Sequence, residues 1–303
     1  MITGFLGAGK TTFLKNFISM FAGNKIQLII NEFGREGVDG ALLADLGAFL
    51  EEIAGGSVFC SCRLDQFEKV LTQSKGLDPD VILVEASGLS NPTGVRRLFT
   101  LGDRFPHIEY KGAVCLVDAV RFPVQYATAM ACVKQIAASD VAVVNKTDKA
   151  KEEELSKTLE LIRDQRPDIP VIQTSFGKVD KEILELLERS EYVQNEDMPL
   201  TGDLTVRKLF VKIAPTITPY SLQKFIEMFS EVTFRVKGFV DTTEGLYLAD
   251  CVGNVVSLEP YTKKISDDKR GFLVVLSGAG MPVKSRIKKA AAWYPDDIIS
   301  IEQ

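Results

Sequence analysis

The sequence predicts an α/β protein with a mostly parallel sheet, followed by a smaller α+β domain. Three observations predict it. Between Lys25 and Thr174 short apolar runs alternate with longer amphipathic segments, the pattern of strands joined by crossover helices. Ahead of them, Gly4-Phe5-Leu6-Gly7-Ala8-Gly9-Lys10-Thr11 forms a glycine-rich loop between an apolar start and an amphipathic helix. Beyond a polar, aperiodic stretch the pattern changes to alternating strands with few helices.

In chain order, the first strand is expected to be short, because only Met1, Ile2 and Thr3 precede the glycine loop. Further strands are expected at 26–30, 81–85, 113–118, 141–144 and 171–174, each followed by polar or glycine-rich residues. Ligands of such sheets collect at the carboxyl ends of the strands, so those following residues are where chemistry is sought. The first domain is expected to span 1–190, a linker 191–204 and the α+β domain 205–303. In the latter, Leu209, Val211 and Ile213 alternate as a half-buried strand does. Thr218-Pro219 opens a helix as cap and first-turn proline, with Leu222, Phe225, Ile226 and Phe229 on one face. Strands follow at 233–240, 245–249, 255–258 and 272–277, with a turn at Gly253-Asn254, and a last helix at 284–293. Trp293 and Tyr294 are read as packing at the end of that helix.

Composition narrows the function. A formal charge of −5 argues against a nucleic-acid partner, and the basic run from Lys284 to Lys289 reads as a solvated helix face. No stretch approaches the about 18 to 20 uninterrupted apolar residues that cross a bilayer, and the N-terminus has no secretion-signal pattern, so no membrane partner and a cytoplasmic location are expected. Five cysteines in 303 residues fit reduced thiols. Cys115 and Cys132 read as core, Cys251 lies near a hairpin, and His107, the one histidine, reads as a surface loop residue.

The glycine loop has the spacing of a phosphate-binding P-loop, and with its strand and helix it predicts a P-loop NTPase. Small residues at Gly4, Gly7, Ala8 and Gly9 let backbone N–H groups point at phosphate oxygens; Lys10 reaches the β/γ-phosphates, the Thr11 hydroxyl ligates Mg²⁺, and Thr12 follows in the same first turn. After the strand at 141–144 comes Asn145-Lys146-Thr147-Asp148. A carboxylate at Asp148 accepts from both N1–H and the 2-amino group of guanine, a donor pair that adenine lacks. That selects GTP and disfavours an ATP-using kinase. Ser175, with Thr174, is expected to contact guanine O6 through the backbone. The apolar strand at 81–85 ends in Glu85, a hard oxygen ligand for Mg²⁺ directly or through water, and Gly88 brings a backbone N–H to the γ-phosphate. Lys10, Thr11, Glu85 and Gly88 are therefore the expected catalytic group, acting by position and electrostatics. The sequence identifies no water-positioning glutamine and no arginine finger, so slow intrinsic hydrolysis is expected. Residues 32–40, with three glycines and Asp39, read as a switch ordered by the γ-phosphate.

Taken together, the loop through Thr12, Asn31-Glu32-Phe33-Gly34, Glu85-Ala86-Ser87-Gly88, Gln135-Ile136-Ala137 and Asn145-Lys146-Thr147-Asp148 resemble the CobW-like branch of P-loop GTPases, related to the hydrogenase and urease nickel-insertion GTPases. Glu85, where most GTPases carry aspartate, and 234–239 in the small domain extend the resemblance over nearly the whole chain. The resemblance implies GTP hydrolysis coupled to delivery or insertion of a metal ion such as Zn²⁺ or Co²⁺, or of a metal cofactor, into a client metalloprotein. It also implies a Gly-Cys-x-Cys-Cys metal motif, and the matching stretch here is Gly56-Ser57-Val58-Phe59-Cys60-Ser61-Cys62. Only Cys60 keeps its place, and Arg35 stands where relatives carry a glutamate. Cys60 and Cys62 either form a two-thiolate site completed by Glu32, Asp39 or a partner, or are unreactive cysteines at a turn. The alternative function is a nucleotide-gated adaptor without a metal site, acting on a client such as a corrinoid-dependent protein.

Overall fold

The computed structural model describes residues 1–30, 49–52, 64–100, 105–189, 205–262, 265–266 and 269–303. The chain forms two compact units, 1–203 and 204–303. The expected linker, the 32–40 switch and the Cys60/Cys62 segment fall largely or wholly outside the described residues.

The first unit is the expected α/β fold. Strands β1 (Ile2–Gly4), β2 (Ile26–Ile30), β3 (Phe49–Glu52), β4 (Val81–Glu85), β5 (Val114–Asp118), β6 (Val141–Asn145) and β7 (Val171–Gln173) pair in the order β3-β2-β4-β1-β5-β6-β7. Every pairing is parallel. Between them run α1 (Lys10–Ile18), α2 (Leu64–Leu77), α3 (Thr93–Thr100), α4 (Phe122–Thr128), α5 (Met130–Ala137) and α6 (Glu152–Gln165), and α7 (Glu182–Arg189) follows β7.

Helices on both faces explain the uninterrupted apolar strands. Successive residues of β2 point to opposite faces: Leu28 and Ile30 join Phe13, Leu14 and Phe17 of α1, whereas Ile29 joins Phe67 and Leu71 of α2. The rings of Phe13 and Phe17, one turn apart, stack at 5.1 Å. Burying each such side chain contributes about 1.5 to 3 kcal/mol, which anchors α1 and with it the loop that precedes it.

In the second unit the strands pair antiparallel, in the order β11-β10-β9-β12-β8-β13. Its strands are β8 (Arg207–Ile213), β9 (Arg235–Thr242), β10 (Gly245–Val252), β11 (Val255–Pro260), β12 (Phe272–Ser277) and β13 (Ile298–Glu302). Helices α8 (Pro219–Ser230) and α9 (Val283–Ala291) supply Leu222, Phe225, Phe229 and Ile287 to a core shared with Leu209, Val211, Val236 and Val240. Thr218 caps α8 by accepting from the Ser221 N–H at 3.0 Å. Gly253, at φ 63°, and Asn254 turn the chain between the paired residues Val252 and Val255.

Three details differ from the sequence expectations. Strands β3 and β13, both sheet edges, were not expected. Helix α9 stops at Ala291, and Trp293 stands 77% exposed while Tyr294 packs edge-on against Phe225 at 5.7 Å. Packing at that helix end therefore belongs to Tyr294, and Trp293 takes no part in the core. The exposed faces of Lys284, Lys288 and Lys289 agree with a solvated helix. Among the described residues, no helix is long and apolar enough to cross a membrane.

Candidate nucleotide site

The sheet's strand order places the carboxyl ends of β1, β4, β5 and β6 along one edge, with Gly4 opposite Leu116 and Asp118 opposite Asn145. The glycine loop leaves β1 at Gly4 and enters α1 at Lys10. Gly9, immediately before the helix, has φ 98° and ψ 27°, and a Cβ there would lie 2.4 Å from Asn145 Nδ2. Glycine is required on both counts. No side chain caps α1, so its first N–H groups are presented to the loop.

On one side of the loop stands the segment that follows β6. Asn145, 2% exposed, donates from Nδ2 to the Ala8 carbonyl at 3.0 Å and accepts the Gly177 N–H on Oδ1 at 2.9 Å. Lys146 donates to the Gly7 carbonyl at 2.6 Å and to Asp118 Oδ2 at 2.7 Å. Ser175 Oγ accepts the Asp148 N–H at 3.1 Å and lies 3.0 Å from Thr147 Oγ1. Thr147 N–H and hydroxyl both donate to the Thr174 carbonyl. The Asp148 residue itself is exposed. Thus Asn145, Lys146, Asp148 and Ser175 are brought together, and two of them are bonded to the phosphate loop.

On the other side stand Glu85 and Gly88. Thr11 Oγ1 donates to Glu85 Oε1 at 3.5 Å, and Glu85 is buried. A Cβ on Gly88 would lie 2.6 Å from Leu6 Cδ2 and 2.9 Å from the Leu6 backbone nitrogen, so only glycine allows this approach to the loop. Lys10 Nζ donates to the carbonyls of Gly4 at 3.0 Å and Phe5 at 3.3 Å, which folds its ammonium back over the loop. Thr12 is exposed.

The sequence reading missed Asp118. This carboxylate, 2% exposed, accepts the Val120 and Arg121 N–H groups on Oδ1 at 3.0 and 3.1 Å while Oδ2 holds Lys146. Its signal was an acidic residue closing an apolar strand, the same signal that marked Glu85.

Cys115 is 2% exposed in β5. Burial pushes its thiol up to about 12, although the Lys10 charge and a hydrogen bond with Ser139 act in the opposite direction. It is a core residue without thiolate character near neutral pH, and Cys132 and Cys251 are buried too. His107 is exposed, with its ring edge-on to Phe105 at 6.4 Å. Among the described residues no group of three or more His, Cys, Asp or Glu side chains is placed to hold a metal ion, and Cys60, Cys62, Glu32 and Asp39 lie outside them.

A family model described as the nucleotide-binding domain of CobW/HypB/UreG matches residues 1–173. Similar curated proteins include the zinc chaperone YeiR of Escherichia coli K12, 34% identical over 192 residues that make up 63% of this chain and 58% of YeiR. The zinc chaperone YjiA of the same organism is 30% identical over 194 residues, 61% of this chain and 59% of YjiA. The zinc-regulated GTPase metalloprotein activator 1 of Schizosaccharomyces pombe is 28% identical over 204 residues, 63% of this chain and 49% of that protein. The chain thus spans about half to three fifths of the length of these relatives. Among solved structures, Zn(II)-bound YjiA GTPase from E. coli aligns over 96% of both chains at 20% identity, with a TM-score of 0.48.

Proposed function

We propose that this chain, which belongs to the CobW/HypB/UreG family through its nucleotide-binding domain, binds GTP at the carboxyl edge of its parallel sheet and hydrolyses it to GDP and phosphate. The observation that carries this reading is the direct bonding of a base-recognition loop to a phosphate loop, Asn145 to Ala8 and Lys146 to Gly7. A site that grips phosphates with one loop and guanine with the other needs the two at fixed separation. The carboxylate of Asp148 then pairs with N1–H and the 2-amino group of guanine, and an adenine ring would leave it unpaired. The Ser175 backbone takes O6. Gly4, Gly7, Ala8 and Gly9 supply the cradle, Thr12 closes the first turn of α1, and Lys10 neutralises phosphate charge.

Thr11 and Glu85 bring two hard oxygen groups to within 3.5 Å beside the head of α1, a donor set that suits Mg²⁺. Bound there, the ion would supply positive charge to the phosphate oxygens. Lys10 and the Gly88 N–H act on the transferred phosphoryl by electrostatics and position.

Hydrolysis in this reading serves delivery of a metal ion, Zn²⁺ or Co²⁺, to a client metalloprotein in the cytoplasm, in keeping with the names of the zinc chaperones it resembles. Cys60 and Cys62 are the proposed thiolates. The second reading, an adaptor that recognises a corrinoid-dependent or other client without carrying metal, is favoured by Ser57 and Phe59, which replace two cysteines of the family motif.

Competition between GTP and ATP for the Mg²⁺-loaded protein tests the nucleotide assignment, and Asp148→Asn is its sharper form. That variant should lose GTP and gain xanthosine triphosphate, whose 2-carbonyl wants a donor. Retained GTP preference in the variant would remove Asp148 from the base site. Titration of Zn²⁺ and Co²⁺ against a chromophoric chelator, with Cys60→Ser and Cys62→Ser in GDP and GTP-analogue states, separates the two functions. Nucleotide-dependent binding lost in both variants supports delivery, and no binding in either state leaves the adaptor.

A further inference from the structure

Gln135 lies on α5, 1% exposed, and the nucleotide reading gives it no role. Its Nε2 donates to the Gly88 carbonyl at 3.1 Å and to the Ser90 carbonyl at 3.2 Å. Carbonyls only accept, so the amide orientation is forced by its partners. Among the described residues, the Oε1 atom of the same amide is buried with no hydrogen-bond partner. A native structure seldom leaves such an acceptor unsatisfied, because a buried unpaired polar atom is costly. The amide is held in place by what its nitrogen does.

The nitrogen holds a particular piece of backbone. Gly88 presses against Leu6 of the phosphate loop so closely that no side chain fits between them. The Ser90 hydroxyl and N–H turn back onto the Ser87 carbonyl, at 2.5 and 2.9 Å, so 87–90 is a compact turn. Gln135 grips that turn at two points, while its backbone carbonyl accepts the Ser139 hydroxyl at 2.7 Å. The order of contact is phosphate loop, Gly88, Gln135, α5.

We infer that Gln135 is a positioning residue that sets the Gly88 N–H against the phosphate loop, and so determines how strongly the site distinguishes GTP from GDP. The inference rests on the GTP reading. Its physical content is a difference between states: GDP lacks the phosphate that the Gly88 N–H addresses, so a loosened 87–90 turn weakens GTP and leaves GDP as it was.

The test compares Gln135→Met, which keeps length and volume without donors, and Gln135→Glu, which turns acceptor oxygens toward both carbonyls. Affinities for Mg²⁺-GDP and for a non-hydrolysable Mg²⁺-GTP analogue are measured by displacement of a fluorescent guanine nucleotide. In Gln135→Met the analogue should weaken about tenfold, the factor that about 1.4 kcal/mol commands, with GDP changed less than about twofold. Gln135→Glu should lower the analogue-to-GDP affinity ratio further. A parallel loss of both nucleotides, or an unchanged ratio, overturns the inference and makes Gln135 purely structural. Should a variant fail to fold, hydrogen exchange in the unaltered chain decides: amides of 86–90 should be better protected with the analogue than with GDP, and equal protection overturns it. If the unaltered chain binds no guanine nucleotide, the GTP reading itself falls, and the inference falls with it.

Discussion

The phosphate loop has two neighbours, and they hold it differently. On the base side, Asn145 and Lys146 bond directly to the loop carbonyls of Ala8 and Gly7, at 3.0 and 2.6 Å. On the γ-phosphate side, contacts include a long 3.5 Å bond from Thr11 to Glu85, the last residue of β4, and the close approach of Gly88, in the turn after β4, to Leu6. The first side is welded to the loop, and the second leans on it from a turn gripped by Gln135. The difference teaches a division of labour. Under the proposed GTP reading, the groups that GTP and GDP share would be met by the segment bonded directly to the loop, and the γ-phosphate that distinguishes them by the Gly88 turn, which touches the loop through packing.

Asn145→Ala is the harshest way to break the weld. It deletes two buried hydrogen bonds and strands the Ala8 carbonyl and Gly177 N–H, at about 1 to 3 kcal/mol for each unsatisfied group. Urea unfolding should show that loss, and GDP and GTP-analogue affinities should fall together by at least about tenfold. Undiminished GDP affinity would show that the weld is irrelevant to binding.

Gly88→Ala strikes the leaning side instead. Its methyl would meet Leu6 at 2.6 to 2.9 Å, and the backbone nitrogen there cannot rotate away. Overpacking of this kind costs about 1 to 3 kcal/mol. The expected outcome is selective: the GTP analogue weakens about tenfold or more, and GDP changes by less than about threefold. Equal loss of both nucleotides in an equilibrium titration would erase the contrast between the two sides.

A gentler cut separates charge from geometry on the base side. Asp118→Asn keeps the acceptor for the Val120 and Arg121 N–H groups and removes the charge paired with Lys146. Lys146 is 28% exposed, so solvent already screens part of the pair. Both nucleotides should weaken about threefold to tenfold, as loss of a charge-assisted bond of about 1 kcal/mol implies, with a smaller effect at high salt. A change confined to the GTP analogue would place Asp118 on the wrong side of the comparison.

The sequence showed the parts of this arrangement that depend on local spacing. The glycines of 4–9 declare themselves because a cradle of backbone N–H groups has no room for side chains, and the apolar strands because both faces of the sheet are covered. The spacing of Asn145 and Lys146 raised the expectation of base recognition, but their bonds to Ala8 and Gly7 join residues 137 and 139 positions apart, a relation that spacing does not reveal. Asp118 was overlooked for the same reason: its partner Lys146 becomes visible only when β5 and β6 lie side by side. Strand β3, with two glutamates among its four residues, lacks the apolar pattern of its neighbours because it is an edge. Strand β13 pairs with β8 through a register break at Ile298/Ser300, which hides its alternation.

The smallest effect probes strain stored in the weld. Phe176 and Lys146 both have left-handed backbones, at φ 59° and 64°, where a bulky L-residue is disfavoured by about 1 to 2 kcal/mol. Lys146 is held there by its bonds to Gly7 and Asp118. Phe176 is held by its neighbours: its carbonyl accepts Asn16 Nδ2 at 2.9 Å, and the next N–H is taken by Asn145. Its ring is 62% exposed and returns little burial for the strain. Phe176→Gly relieves the strain and keeps both backbone bonds, against the greater freedom of glycine in the unfolded chain. The variant should therefore match or exceed the parent in stability, by up to about 1 kcal/mol in thermal unfolding, with GDP affinity unchanged. If instead GDP and GTP both weaken while stability holds, the ring touches the nucleotide, and the base side owes part of its grip to an aromatic surface as well as to Asn145 and Lys146.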